Sequence, residues 1–182
     1  MKGLPLIALA IMLTMGAGQA APAAAANATL LYTFDQGITP FTAAAIPSTV
    51  ATRDMLGWVE DPGERPGPSG HALLTNNVAA TAVYMAAPQK GSGIMLRVTV
   101  QARDAGGCKR CAVIIAVGSG KPDSLGAFQK VGLVTTGWAT YTMQVPLYGP
   151  NPVVAVGLFN LDGVHYTQQM AVDNLSVQFL DD

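Results

Sequence analysis

The sequence predicts an all-β domain, a two-sheet antiparallel jelly-roll sandwich, with closure into a barrel as the alternative. Three observations lead there. From Leu30 onward no 3.6-residue amphipathic pattern occurs, and period-two segments recur between Gly, Pro, Asn and Asp. Those turn residues return at intervals of roughly 8–12 residues, the spacing of short strands in a sandwich. Apolar residues make up 50% of the 182-residue chain and charged residues 12%, so a sizeable core can be buried.

The first segment stands outside this pattern. Lys2 supplies a positive charge, Leu4 to Met15 is an uncharged apolar run, and Gly16-Ala17-Gly18-Gln19-Ala20 follows with small residues. The run is shorter than the ~20 residues that span a bilayer. Residues 1–20 therefore read as a secretory signal peptide cleaved after Ala20, in preference to an uncleaved anchor. Residues 21–28 read as a flexible Ala-rich leader and 29–182 as a single β-sandwich domain. No Cys stands at the cleavage point for lipid attachment, and no second spanning run follows. The expectation is a bacterial protein that is secreted or periplasmic, monomeric, and without a membrane span once mature.

Ten strands are expected: Leu30–Asp35, Thr49–Arg53, His71–Thr75, Ala79–Met85, Ile94–Arg103, Cys111–Gly118, Phe128–Val134, Trp138–Val145, Pro152–Asn160 and Met170–Leu180. The clearest is Ile94–Arg103. Leu96, Val98, Val100 and Ala102 face one way, and Arg97, Thr99, Gln101 and Arg103 the other, as in a sheet with one solvated face. Cys111–Gly118 and Pro152–Asn160 are nearly continuous Val/Ile-rich runs, long enough only for central strands. Two long loops, Gln36–Pro47 and Gly57–Gly70, interrupt the pattern. Long loops on a rigid sandwich are common places for binding.

Charge and motif counts exclude several functions. Ten Lys+Arg against eleven Asp+Glu leave no basic surplus to neutralise phosphates, so nucleic acid is not expected as a partner. Cys108-Lys109-Arg110-Cys111 lies between two strong strands, with no helix to lower a thiol pKa. In an exported protein it reads as a disulfide closing a hairpin tip, ahead of a redox motif. A four-ligand zinc site would need both Cys with His71 and His165, and the spacing does not favour it. Ser69 lacks the glycine placement of a nucleophile elbow, and Gly118-Ser119-Gly120-Lys121 is followed by Pro122 rather than a helix. Glu60, Asp61 and Glu64 cluster in one loop, and paired carboxylates can hydrolyse glycosides. An acidic, Pro-rich loop is more often only solvated.

Four short motifs recur in a recognisable order. Phe34-Asp35-Gln36-Gly37 closes the first strand, and Gly70-His71-Ala72-Leu73-Leu74 opens another. Gly137-Trp138-Ala139-Thr140-Tyr141 starts a third, and Val172-Asp173-Asn174-Leu175-Ser176-Val177 forms the last. Together they resemble the jelly-roll carbohydrate-binding modules attached to bacterial cellulases and xylanases, of the galactose-binding-like fold. The resemblance covers Leu30 to Leu180, with Asp35 where a Glu is usual and Asn174 where a second Asp is usual.

The resemblance implies a non-catalytic domain that binds a polysaccharide or other glycan. It also implies a structural calcium ion at one end of the sandwich, with Asp35, Asp173 and Asn174 as side-chain ligands. Asp173 shares an otherwise apolar face with Ala171, Leu175 and Val177, where a carboxylate needs a partner in any case.

Sugar binding needs flat apolar faces and planar polar groups. Trp58, placed in a Pro/Gly-rich loop, is a candidate platform, or else an anchor plugging the sandwich end. Tyr84 and Tyr166 are further aromatic candidates, set against the common buried, hydrogen-bonded Tyr. Arg97 and Gln101 share a solvated face and suit hydroxyl recognition, or are ordinary surface residues. Trp138 and Tyr141 read as structural. Two other functions stand beside glycan binding: a structural or protein-interaction sandwich of the cell envelope, and a glycoside-active enzyme working through Glu60 and Glu64.

Overall fold

Eleven strands and no helix are found in a computed structural model that describes residues 28–46, 49–61, 69–79, 81–119, 127–147, 149–163 and 166–181. In chain order they are β1 (Thr29–Tyr32), β2 (Thr42–Ile46), β3 (Leu56–Glu60), β4 (Gly70–Asn76), β5 (Ala82–Pro88), β6 (Met95–Gly106), β7 (Cys111–Ser119), β8 (Ala127–Leu133), β9 (Ala139–Pro146), β10 (Pro152–Asn160) and β11 (Gln168–Leu180). The first sheet has the order β3-β4-β11-β6-β9, with β1 also on β11; the second has the order β2-β5-β10-β7-β8. Every pairing is antiparallel. The predicted sandwich is the observed architecture.

Period-two alternation sorts the side chains into this arrangement. Leu96, Val98, Val100 and Ala102 of β6 meet Val113 and Ile115 of β7, Val154, Val156 and Leu158 of β10, and Leu175, Val177 and Phe179 of β11 in one core. The two continuous apolar runs are explained by a second cluster. Ala82, Tyr84, Ala86, Ile114, Ala116, Val153 and Ala155 lie on the opposite face of the second sheet and are buried there too. Strands buried on both faces have no reason to alternate with polar residues.

Two expectations are corrected at the start of the chain. Thr49–Arg53 contains no strand; the strand is β3, so the predicted loop Gly57–Gly70 begins as an edge strand hydrogen-bonded to β4. β2 lies inside the predicted loop Gln36–Pro47. Its sequence Thr-Ala-Ala-Ala-Ile has weak strand propensity, and it is held by pairing with β5. The predicted signal peptide and all of the leader before residue 28 fall outside the described residues, as do residues 62–68 of the second predicted loop. Among the described residues no helix is long and apolar enough to cross a membrane.

Cys108 and Cys111 are joined by a disulfide in the β6–β7 connection, as expected. The chain enters that connection through Gly107 at φ 78°, where a Cβ would come within 2.1 Å of the Thr167 carbonyl oxygen. Only glycine fits both the left-handed backbone and the close approach.

Candidate functional site

The outer face of the first sheet is polar and crosses three strands in register. Arg97 of β6 lies opposite Gln178 of β11 and Gln144 of β9, and donates to both side-chain oxygens at 3.4 and 3.3 Å. In the next row Thr99 and Thr142 hydrogen-bond to each other at 3.1 Å, with Ser176 opposite Thr99 on β11. Gln101 follows, opposite Thr140 and Asp173. Arg103 and Trp138 close the series, because Ala102 pairs with Ala139. These contacts hold planar groups in place before any ligand arrives, which lowers the ordering cost of binding.

Trp138 is the main aromatic feature of this face. Its ring centroid is 5.9 Å from that of His71, although β9 and β4 are separated by β6 and β11. Three strand spacings correspond to about 14 Å between the two backbones. The indole therefore lies across the sheet instead of standing on it. It rests on the Arg103 guanidinium, whose Cζ is 5.0 Å from the ring centroid. Ala171 points to this same outer face yet is fully buried, as the indole's covering of the sheet requires. Trp138 keeps 39% of its surface exposed. His71 is buried at its edge and shares a 2.8 Å Nδ1–Oδ2 contact with Asp61.

One row along from Trp138, β11 carries a bulge. The register with β6 shifts between Asp173 and Ser176, and Asn174 adopts φ 48°. Asp173 Oδ1 accepts the Asn174 backbone N–H at 2.6 Å. The Asn174 side-chain amide donates to Asp173 Oδ2 at 3.0 Å and to Gln101 Oε1 at 2.9 Å. Bulges re-aim side chains, and here the outcome is a compact amide–carboxylate cluster beside Trp138.

The predicted site residues separate into several places. Arg97 and Gln101 share the outer face with Trp138. Asp173 and Asn174, expected as metal ligands, are joined to Gln101. Trp58 is in β3 rather than in a loop, opposite Ala72 on the inner side. Its ring sits where a Cβ on Gly70 would be 2.6 Å away, and its Nε1 donates to the Phe34 carbonyl at 2.6 Å. It anchors the sandwich end while remaining 39% exposed. Tyr84, expected to meet ligand, is fully buried in the apolar cluster of the second sheet, and that burial pushes its phenol pKa up. Tyr166 donates to Asp162 at 3.3 Å in the connection that leads into β11.

Asp35 lies after β1, in an open cleft of about 430 Å³ lined by Tyr32, Thr33, Phe34, Gln36 and Thr39. Among the described residues no group of three or more His, Cys, Asp and Glu is placed to hold a metal. Glu60 is exposed at the end of β3, and Glu64 falls outside the described residues. Trp138 is the functional candidate that sequence reasoning missed. One signal was available: Trp138 and Tyr141 are three residues apart in a strand, so they face opposite ways. Tyr141 is buried, with its hydroxyl donating to the Leu133 carbonyl at 2.7 Å, and Trp138 must therefore point outward.

No family model and no curated protein matches the sequence. Solved structures match in shape. The K1 cleaved adhesin domain of Lys-gingipain from Porphyromonas gingivalis W83 superposes with a TM-score of 0.58 at 16% identity, covering 84% of this chain and 98% of that one. The CBM22-1 xylan-binding domain from Paenibacillus barcinonensis Xyn10C gives 0.55 at 14% identity, covering 88% and 99%. TmCBM61, solved with beta-1,4-galactotriose, gives 0.53 at 11% identity, covering 80% and 92%. The chain thus has the jelly-roll fold found in carbohydrate-binding modules. At these identities the likeness establishes the fold, and any ligand must be argued from this chain's own residues.

Proposed function

We propose that this chain is an exported, non-catalytic carbohydrate-binding domain, and that it binds glycan on the outer face of the first sheet. The observation that carries the proposal is Trp138, lying across the sheet on Arg103 with 39% of its surface exposed and polar rows beside it. A flat aromatic accepts the C–H face of a pyranose, and the adjacent Gln, Asn, Thr and Arg groups suit its hydroxyls. The xylan-binding and galactotriose-bound modules of the same fold support the ligand class. Retention on insoluble polysaccharides and a glycan array form the test, comparing wild type with Trp138→Ala. Retention lost in the variant at unchanged thermal stability is expected. A wild type that binds no plant, bacterial or storage glycan would overturn the proposal.

A second reading, a protein-interaction domain of the cell envelope, is supported by the similarity to an adhesin domain. Binding to envelope proteins that survives Trp138→Ala, with no glycan retained, would favour it. Structural calcium belongs to the proposal as well. The pairing of Tyr32 with Leu175 leads Asp35 and Asp173 toward the same end of the β1–β11 ladder. The two carboxylates with backbone carbonyls and water would supply the six to eight oxygens calcium takes. At a calcium concentration of ~100 Kd, a site of this kind adds ~2.7 kcal/mol. A melting temperature that does not respond to chelator after verified metal removal would refute it.

A further inference from the structure

Resting on the glycan-binding reading, we infer that Gln101 and Asn174 determine specificity at this site. They form a paired donor and acceptor that selects neutral, hydroxyl-bearing sugars over uronate or sulfated ones. An Asn amide offers two N–H donors and a carbonyl. Both donors of Asn174 are used, one toward Asp173 Oδ2 and one toward Gln101 Oε1. The bonds leave the Asn174 carbonyl as an acceptor and the Gln101 NH2 as a donor. Both residues are half-buried at the surface, on the same polar face.

The chemistry of that pair decides the ligand class. A hydroxyl donates and accepts at once, so one or two ring hydroxyls satisfy the Gln101 NH2 and the Asn174 carbonyl together. A carboxylate or sulfate only accepts. It would meet the Asn174 carbonyl oxygen with no proton to offer it, leaving that acceptor unpaired. Gln101 is two residues from Arg103 along β6, about 7 Å at strand rise. A single ligand stacked on Trp138 therefore reaches the pair. The bulge is the device that builds it. A regular β11 would keep Asn174 in the ladder, whereas φ 48° and the Asp173 bond turn its amide toward Gln101.

Gln101→Glu is the cleanest test. The variant keeps side-chain length and an oxygen to accept from Asn174, and replaces the NH2 donor with a second, anionic acceptor. Gln101→Leu serves as a second variant, free of added charge beside Asp173. Titrations would use neutral oligosaccharides of the xylan and galactan type and an acidic comparator, oligogalacturonate, with melting temperatures recorded in parallel. Wild type is expected to prefer the neutral sugars. Both variants should lose neutral-sugar affinity roughly tenfold, the effect of one lost hydrogen bond to a buried-side partner. Near-wild-type melting temperatures are expected for at least one of them.

Undiminished affinity in both variants, or preference of the wild type for the acidic sugar, would overturn the specificity assignment. If Trp138→Ala still abolished binding, the glycan-binding reading would survive that outcome. A wild type that binds no sugar ends both proposals.

Discussion

Gln168 is the residue whose replacement should most clearly stabilise this fold. It opens β11 on the inner side, is fully buried, and neither its Nε2 nor its Oε1 has a hydrogen-bond partner. Its register neighbour Asn76 is also fully buried but is satisfied, donating to the Thr81 carbonyl at 2.7 Å and accepting from the Val78 N–H at 3.0 Å. An unsatisfied buried polar group costs about 1–3 kcal/mol. Two such groups on one side chain set an upper bound of about 6 kcal/mol, of which relaxation leaves a fraction. Gln168→Met removes both polar atoms at nearly constant length and flexibility, so little packing is lost. The expected gain is ~1–3 kcal/mol. For a chain of this size that corresponds to a melting temperature higher by roughly 2–12 °C. Thermal and urea unfolding followed by circular dichroism measure it, with an unchanged urea m-value as the control for an unaltered unfolded state. A Gln168→Met protein that melts lower than wild type would refute the reasoning. Such a result would mean that the amide is bonded in solution, for example to an ordered internal water.

Three further outcomes follow from particular contacts. Gly157→Ala places a Cβ 2.5 Å from the Tyr84 ring and 2.7 Å from the Val83 carbonyl oxygen; backbone cannot move aside, so a loss of ~1–3 kcal/mol or more in chemical denaturation is expected. Tyr84 has its phenol pKa raised above the ordinary 10.0 by burial. The unfolded chain then releases its proton first, and stability falls as pH rises past about 10. Spectrophotometric titration should find one tyrosine silent until the alkaline unfolding transition, and five freely titrating tyrosines in the folded protein would contradict this. Cys108 and Cys111 should resist alkylation in the exported protein until reductant is added, as intact mass will show. Reduction should cost only modest stability, because the closed loop is short.

The all-β class, the sandwich, and the central placement of β7 and β10 were legible because they depend on local pattern. Alternating residues 96–103 sort themselves to two faces of any strand, and a run such as Pro152–Asn160 fits only a strand buried on both sides. The hairpin disulfide was legible because four residues of chain already hold its sulfurs near one another. β2 was not legible. Three alanines say little by themselves, and the strand exists because β5 offers a ladder.

The candidate site depended most on tertiary structure. Arg97 and Gln101 were visible as neighbours on a solvated face, but Asn174 stands 73 residues from Gln101 and was read as a metal ligand. Trp138 was read as structural because a strand sequence does not say which strands its neighbours are. Its platform exists because β6 and β11 happen to lie between β9 and β4, with Arg103 beneath the ring and a small Ala171 leaving room for it. Tyr84 was placed among the ligand contacts for the same reason: an aromatic in a strand is a platform on one face and a core residue on the other. Periodicity determines that two faces exist. Long-range strand pairing decides what each face meets, because the free energy that selects it comes from burial across the whole sandwich.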